Sequence, residues 1–191
     1  GSDSANWAAE RADVILSVGS RLQDFTTGSW TAFSHDAQVI SLNSARHDAA
    51  KHRSMPVVGD AKLGLAALQS ALGQRCADPA WTKEAQAQRQ IWEHTVAETV
   101  RAGDNRPNSY AQAIGVVNAL VTDHDRVVAA AGGLPAEVTA NWRTLKTGTV
   151  DVEFGFSCMG YEIAGAWGAR IAQSEKEPEA DTISFVGDGS Y

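Results

Sequence analysis

Short apolar runs that end in a glycine or a polar loop constrain the fold of this chain more than any other feature. The run at residues 12–19, ADVILSVG, ends in a glycine, and the run at residues 38–43, QVISLN, repeats the pattern. Continuous apolar runs of this length are typical of strands that are buried on both faces of a parallel sheet. We therefore expect an α/β fold in which both runs form such strands.

A third, weaker strand candidate at residues 55–58 completes a first α/β piece. Gly59 and Asp60 follow it, and we interpret Asp60 as the start of a helix. Together these elements amount to half a Rossmann-like unit, which we place in residues 1–73. We expect the side of this helix that faces the core to carry five apolar residues: Leu63, Leu65, Ala66, Leu68 and Leu72.

The composition turns polar between residues 74 and 106. Pro79 is followed by Lys, Glu, Gln and Arg, a composition that indicates a solvated helix. We interpret residues 74–106 as a helical linker between two domains. We expect this linker helix to pack through four apolar side chains: Trp81, Ile91, Trp92 and Val96.

The second α/β piece is placed in residues 107–191. Asn108 and Ser109 are good helix N-caps, and a strand at 126–131 is followed by a break at 132–135 and a helix at 136–145. A helix at 159–172 has apolar or small residues on every face, which predicts that it is buried.

A last strand, at 182–186, runs into the glycine-rich segment 187–191. A parallel strand of this kind needs a crossover helix and a further strand. We therefore expect two incomplete Rossmann-like, doubly wound parallel-sheet pieces, with the chain truncated inside the second.

Charge and composition exclude several classes of partner. Sixteen Lys and Arg face 23 Asp and Glu, which gives a formal charge of −7 and leaves no basic block for nucleic acid. The apolar windows are far shorter than the roughly 20 residues that cross a bilayer, and the first residues lack a signal pattern. The distant Cys76 and Cys158 fit reduced thiols. We expect a cytoplasmic protein with no membrane and no nucleic-acid partner.

The strongest chemical signal is the segment 183–190, ISFVGDGS, in which an apolar strand ends in a carboxylate between two glycines. Ligands of open α/β sheets bind beyond the carboxyl ends of strands, and glycines let backbone N–H groups approach phosphate oxygens. Asp188 is then suited to hold a hard cation such as Mg²⁺. Asp-Gly is also a common turn dipeptide, so these residues alone leave a plain turn equally open.

A second break in the pattern, FGFSCMGY at 154–161, precedes the apolar helix. Glycines inside a helix cost about 1 kcal/mol each relative to alanine, so close packing must explain them. We interpret Gly165 and Gly168 as points of tight packing between helix and sheet. The preceding segment, with Ser157 and Met159, is expected to face a ligand.

These motifs carry a resemblance to a known family. Met159-Gly160, the segment 164–169 and the later Gly-Asp-Gly-Ser are similar to the diphosphate-binding domain of thiamin-diphosphate-dependent enzymes. Segments 12–19, 21–30, 39–43 and 59–62 resemble the end of the central Rossmann-like domain of the same superfamily. Within it, segments 21–30, 130–135 and 153–162 look most like enzymes that hydrolyse a C–C bond of a cyclic 1,2-diketone.

The resemblance implies a site for thiamin diphosphate and Mg²⁺. Asp188 would bind the metal, Met159 would wedge the cofactor into a bent shape, and the carbonyl of Ser157 would meet the aminopyrimidine. The other residues that it implies for the cofactor pocket are Gly132, Gly133, Gly187, Gly189 and Ser190.

The resemblance implies no catalytic residue within this chain. The activating glutamate belongs to an amino-terminal domain of the family, and we expect Glu153 and Glu162 to have solvated or capping roles instead. We therefore predict that this polypeptide does not turn over substrate unaided. The resemblance also implies a small polyol diketone as substrate and a homo-oligomer as the intact enzyme.

Two other functions stay open. One is a thiamin-dependent enzyme acting on a 2-oxo acid, as in the acetolactate synthase and pyruvate oxidase group, although Ser157-Cys158 departs from the Gly-Thr usual in acetolactate synthases. The other is a non-catalytic module that binds a nucleotide or a partner through residues 12–43. The histidines share no metal-ligand spacing, and Asp24 fits an Asx turn as well as a polar contact.

Overall fold

A computed structural model describes residues 2–101 and 109–190. The chain divides into two compact units, residues 1–93 and 94–191, and each contains a three-stranded parallel sheet flanked by helices. The expected α/β class with two parallel-sheet pieces is therefore confirmed. The division falls inside a long helix within the segment that we interpreted as a linker. The domain boundaries at 73 and 106 stay predictions, and residues 102–108 and 191 lie outside the described residues.

The first unit is built on a sheet with strand order β1-β2-β3. All pairs are parallel, with Val14 opposite Gln38 and Ile40 opposite Met55. The three predicted strands are thus confirmed. The elements are α1 (Asp3–Arg11), β1 (Val14–Val18), α2 (Asp24–Thr27), β2 (Gln38–Asn43), α3 (Arg46–Ala49), β3 (Met55–Val58), α4 (Ala61–Leu72) and α5 (Pro79–Thr99).

Side-chain caps and one aromatic stack explain the helix positions of this unit. Asp60 caps α4 as predicted, because its carboxylate accepts the N–H of Leu63 at 2.9 Å. The ring of Trp81 in α5 stacks on Trp7 of α1 with centroids 5.5 Å apart. Trp81 therefore packs as expected, whereas Ile91 of the same helix is 59% exposed.

Two burial predictions for this unit are wrong. Strand β1 is not covered on both faces, since Val14 is 51% exposed and Leu16 is exposed as well. In α4 the leucine stripe does not face the core, because Leu63 is 72% exposed. The helix meets the sheet at Gly64 instead, where an added Cβ would lie 2.6 Å from a methyl carbon of Leu42. A glycine contact sets the rotation of α4, and apolar spacing alone does not reveal it.

The second unit has strand order β5-β4-β6, again with parallel pairs. Ser109 begins its first helix as predicted, in a capping box with Gln112. Strand β5 is missing from the sequence predictions, because three residues are too few to show a period. The elements are α6 (Tyr110–Leu120), β4 (Arg126–Ala129), α7 (Gly133–Asn141), β5 (Val150–Val152), α8 (Tyr161–Ser174), β6 (Thr182–Phe185) and the single 3₁₀ turn Asp188–Ser190.

A hydrophobic core holds the sheet of this unit against α6 and α7. The ring of Trp142, which ends α7, packs edge to face on Phe185 of β6 with centroids 5.9 Å apart. The strands that lead to the glycine loops therefore share one core. Its buried members are Ile114, Val127, Ala129, Val138 and Phe185.

Helix α8 is not buried on every side, contrary to the prediction. Trp167 is 71% exposed, and Ile163 and Ile171 are exposed with it. Its glycines also do not mark packing on the sheet. An added Cβ at Gly165 would meet the ring of Tyr161 in the same helix at 2.9 Å, and at Gly168 no described atom lies within 4 Å. Only the side of α8 that contacts β4 and β6 is covered by the described residues.

Asp125 ties together the starts of β4 and β6. Its carboxylate accepts the N–H of Thr122 at 2.6 Å, the hydroxyl of Thr122 at 3.0 Å and the N–H of Asp181 at 2.7 Å. Burial opposes ionisation of Asp125, but these hydrogen bonds outweigh it and hold its pKa below the usual value.

We expect Asp125→Asn to lower the free energy of unfolding at neutral pH by about 1–3 kcal/mol, because the N–H groups of Thr122 and Asp181 lose a charged acceptor. A carboxyl with a lowered folded-state pKa stabilises the fold above the unfolded value of about 3.9, and this contribution is lost as the pH falls through the folded value. Urea titrations at several pH values measure both effects. Asp123→Asn is the control, since among the described residues Asp123 forms an ion-pair contact only with the exposed His124. Equal losses in both variants would contradict the prediction.

Candidate functional site

Three loops leave the carboxyl edge of the second sheet. Strand β4 leads to residues 132–133, β5 leads to 153–160, and β6 leads to 187–190. Because the strands are parallel, the loops emerge at one edge, which is where ligands bind in open α/β folds. Every cofactor or metal residue predicted from the sequence lies in one of these loops.

The first loop is a glycine pair at the start of α7. Gly132 has φ 130° and ψ 179°, a conformation that is essentially restricted to glycine. It is the N-cap of α7, and no side chain caps the helix there. Gly133 begins the helix, and the carbonyl of Gly132 accepts the N–H of Ala136 at 3.1 Å. The first turn therefore presents N–H groups and the positive end of the helix dipole, which together favour an anion.

The loop after β6 forms a tight turn that carries the predicted metal ligand. The N–H of Ser190 donates to the carbonyl of Gly187 at 3.0 Å. Asp188 is exposed, and its Oδ1 accepts the N–H of Gly189 at 3.0 Å. The turn thus offers one solvent-accessible carboxylate, an oxygen ligand of the kind that Mg²⁺ prefers.

The methionine loop touches this turn. A Cβ added at Gly189 would lie 3.3 Å from Cε of Met159, and one added at Gly160 would lie 3.6 Å from the carbonyl oxygen of Ser190. Gly160 has φ 93° and is the N-cap of α8. Met159 is largely exposed. The structure therefore brings the predicted wedge residue next to the predicted diphosphate turn, with most of the methionine side chain open to a ligand.

Ser157 occupies a strained position that Glu153 supports from both sides. Ser157 has φ 54°, which is uncommon for a residue with a side chain. The N–H of Phe156 donates to Oε1 of Glu153 at 2.8 Å, and the N–H of Cys158 donates to Oε2 at 2.7 Å. These bonds, first from Cys158 and then from Phe156, hold the pKa of Glu153 below its usual value despite partial burial.

Glu162 holds the other end of the same loop. Its side chain is fully buried, and Oε2 accepts the N–H of Gly160 at 3.0 Å. Oε1 has no hydrogen-bond partner among the described residues. The backbone carbonyl of Glu162 accepts a hydrogen bond from the hydroxyl of Ser184 in β6 at 2.9 Å. A capping role was expected for Glu162 and is confirmed, whereas a solvated role is wrong for it.

The groups on the three loops are of the kinds that could hold a diphosphate with Mg²⁺. They are the N–H groups in the first turn of α7, the hydroxyl of Ser190 and the exposed carboxylate of Asp188. Within residues 2–101 and 109–190, no three His, Cys, Asp or Glu side chains cluster as a metal site. A magnesium site in which phosphate oxygens complete the coordination needs only one or two carboxylates. The chemistry of this donor set therefore agrees with a cation held jointly by protein and diphosphate.

Other residues singled out in the sequence lie apart from this edge or in the first unit. His124 contacts Glu177 at 3.1 Å near the starts of β4 and β6. Asp24 begins α2, and its carbonyl accepts the N–H of Ser29 at 2.8 Å, so this turn is helical. Cys76 in the first unit is free and exposed, and so is Cys158, which by contrast lies at the site edge in the loop after β5. The first unit also contains a cavity of about 570 Å³ lined by several rings, including Trp30, Phe33 and His52.

Two models of protein families match this chain. The model described as thiamine pyrophosphate enzyme, central domain, matches residues 1–68. The model described as thiamine pyrophosphate enzyme, C-terminal TPP binding domain, matches residues 130–191 and includes all three loops. The chain belongs to the thiamine pyrophosphate enzyme family. The suspected resemblance is thereby confirmed. The three loops lie in the part of the chain that matches the cofactor-binding domain of the family.

Curated relatives align with the whole of this thiamine pyrophosphate enzyme chain. A protein of Geobacillus thermodenitrificans (strain NG80-2) named 3D-(3,5/4)-trihydroxycyclohexane-1,2-dione hydrolase is 35% identical over 214 positions, which are 32% of its length. Proteins of that name from Bacillus cereus (strain AH820) and Bacillus anthracis (strain CDC 684 / NRRL 3495) are 32% identical, over 33% of their length. The chain thus spans about a third of these relatives. No helix in its described part is long and apolar enough to cross a bilayer.

Proposed function

We propose that this chain is the cofactor-holding part of a thiamin-diphosphate- and Mg²⁺-dependent hydrolase that opens a cyclic 1,2-diketone carrying hydroxyl groups. The single observation that carries the cofactor assignment is the approach of Met159 to Gly189, next to Asp188. The names of the relatives support the substrate class.

Each loop has a separate task in this proposal. Asp188 would bind Mg²⁺, and the hydroxyl of Ser190 in the turn at 187–190 would donate a hydrogen bond to a diphosphate oxygen. Gly132 and Gly133 bring the positive end of α7 to the same oxygens. The diphosphate would therefore be held by the start of α7, the hydroxyl of Ser190 and a metal ion bound to Asp188, with no need for a basic side chain.

The third loop orients the rest of the cofactor. Met159 would pack against the cofactor, and the backbone carbonyl of Ser157 would accept a hydrogen bond from its aminopyrimidine. When bound, thiamin diphosphate supplies a nucleophilic thiazolium carbon and an electron sink for breaking the C–C bond next to the attacked carbonyl. This chain's own contribution is to bind and orient the cofactor.

Ligand-induced stabilisation tests the proposal. We expect thiamin diphosphate with Mg²⁺ to raise the Tm, because a ligand at a hundredfold excess over its Kd adds about 2.7 kcal/mol to the free energy of unfolding. Asp188→Ala removes the metal ligand, and the increase should disappear. Chelating the Mg²⁺ should abolish it in the unmodified chain as well. Differential scanning calorimetry measures all three.

A matched control separates this effect from a loss of charge. Asp36→Ala removes an exposed aspartate from the first unit and should keep the full increase. An unchanged increase in Asp188→Ala would refute the metal assignment, and the absence of any increase in the unmodified chain would refute the cofactor assignment. To test the substrate class, the diketone should raise the Tm of the cofactor-loaded chain further, whereas pyruvate should not.

A further inference from the structure

The loop at residues 155–160, here the Ser157 loop, owes its conformation to one carboxylate. Both oxygens of Glu153 accept backbone N–H groups, from Phe156 and from Cys158, which are the neighbours of Ser157 in the chain. The two peptide planes that flank Ser157 are therefore fixed by the same side chain. In addition, Glu162 accepts the N–H of Gly160 at the far end of the loop.

The backbone of Glu153 is bound to the sheet. Glu153 directly follows β5, and its own N–H donates to the carbonyl of Ala129 in the central strand β4 at 3.0 Å. The carboxylate therefore starts from a backbone position that belongs to the sheet. A side chain that starts from the sheet can therefore fix the position of a loop that has no strand or helix of its own.

The loop needs such support because Ser157 has left-handed backbone geometry, with φ 54°. A residue with a Cβ adopts this geometry only when its surroundings determine it. Bonds from N–H groups to a carboxylate are stronger than bonds to a neutral acceptor. An ionised carboxylate also only accepts, so it can serve both N–H groups at once, whereas an amide would set its NH₂ group against one of them.

We propose that Glu153 is a positioning residue that holds the Ser157 loop in the conformation required by the cofactor. It fixes the backbone carbonyl of Ser157 and places Met159 against the turn at Gly189. This inference rests on the proposed function, since it takes the ligand of the loop to be thiamin diphosphate. Glu153 itself touches neither the diphosphate turn nor the metal ligand in any described hydrogen bond.

The binding of two ligands distinguishes a positioning role of Glu153 from a general effect on the stability of the fold. Inorganic pyrophosphate with Mg²⁺ uses only the diphosphate part of the site, whereas thiamin diphosphate also uses the Ser157 loop. We expect Glu153→Gln to raise the Kd of thiamin diphosphate by at least about tenfold, while the Kd of pyrophosphate changes by less than about twofold. Titration calorimetry with both ligands measures this split. Equal weakening of both ligands would show a merely structural role and overturn the inference.

Amide hydrogen exchange tests the same inference without cofactor. In Glu153→Gln, the amides of Phe156 and Cys158 should exchange at least about tenfold faster than in the unmodified chain. Glu177→Gln is the matched control, because Glu177 accepts a hydrogen bond from the side chain of His124, away from the loop. It should leave exchange in the Ser157 loop unchanged. Unaltered exchange in Glu153→Gln would overturn the inference.

A double variant covers the case in which Glu153→Gln is poorly folded. Ser157→Gly removes the cost of the left-handed backbone but keeps the carbonyl. Glu153→Gln/Ser157→Gly should therefore recover most of the lost affinity for thiamin diphosphate, and a failure to recover any would count against the inference. If the unmodified chain binds neither ligand, the proposed function fails, and hydrogen exchange still decides whether Glu153 holds the loop.

Discussion

Replacing Gly132 with alanine should weaken both the fold and the cofactor site. At φ 130° and ψ 179° a residue with a Cβ is strained, and strain of this type costs about 1–3 kcal/mol. An added Cβ itself meets only Pro135 Cδ at 3.7 Å, so the cost arises from the backbone rather than from a clash. Relief of the strain must move the start of α7. We therefore expect a lower free energy of unfolding and weaker binding of pyrophosphate with Mg²⁺.

Gly133→Ala separates the two effects. Gly133 has no left-handed backbone, and among the described residues no atom lies within 4 Å of an added Cβ. The free energy of unfolding of Gly133→Ala should therefore stay within about 0.5 kcal/mol of that of the unmodified chain. If ligands approach this backbone as proposed, the methyl group should still reduce pyrophosphate binding. A Gly132→Ala protein with unchanged stability and affinity would contradict the strain argument, as measured by urea unfolding and titration calorimetry.

Replacing Ile114 with alanine should cause the largest loss of stability in the second unit. Ile114 is completely buried among Val127, Val138 and other core residues. Removing a buried isoleucine side chain to Cβ costs about 2–5 kcal/mol, because apolar transfer energy is lost and a cavity remains. Strands β4 and β6, which carry two of the site loops, share this core.

Leu120→Ala provides the comparison on the same helix. Leu120 is 78% exposed, so its truncation should change the free energy of unfolding by less than about 0.5 kcal/mol. Urea unfolding followed by circular dichroism measures both variants. Similar midpoints for the two would show that α6 does not pack on the sheet as described.

Local sequence signals predicted much of the fold. Asp60 and Ser109 were recognised as N-caps because a capping side chain bonds to an N–H only three residues later. Five of the six strands in the described part of the chain are visible in the sequence as short apolar runs. These features depend on neighbours in sequence, so the amino-acid order alone contains them.

Features that depend on distant contacts were not predictable. The rotation of α4 is set by Gly64 against Leu42, and an apolar stripe cannot reveal a glycine contact. The three-residue strand β5 exists because it pairs with β4, since its own sequence is too short for a pattern. Burial of strand and helix faces was overestimated for the same reason, because it depends on what covers them.

The site shows the same division. Asp188 and Met159 could be located from motifs, and the structure adds that their loops are in contact. For Glu153 the sequence left a solvated and a capping role open, and the structure shows the capping role, because its carboxylate accepts N–H groups three and five residues later. The pair of N–H groups depends on the left-handed backbone of Ser157, which no local pattern in the sequence reveals.

The exposed indole of α8 gives the chain a built-in optical probe. Of the six tryptophans, Trp167 on the open face of the helix is exposed, whereas the other five are half-buried. Iodide reaches an indole only from water, so it should quench the emission of Trp167 more than that of the other five. Loss of quenching then reports that another polypeptide lies over this face, without any attached dye.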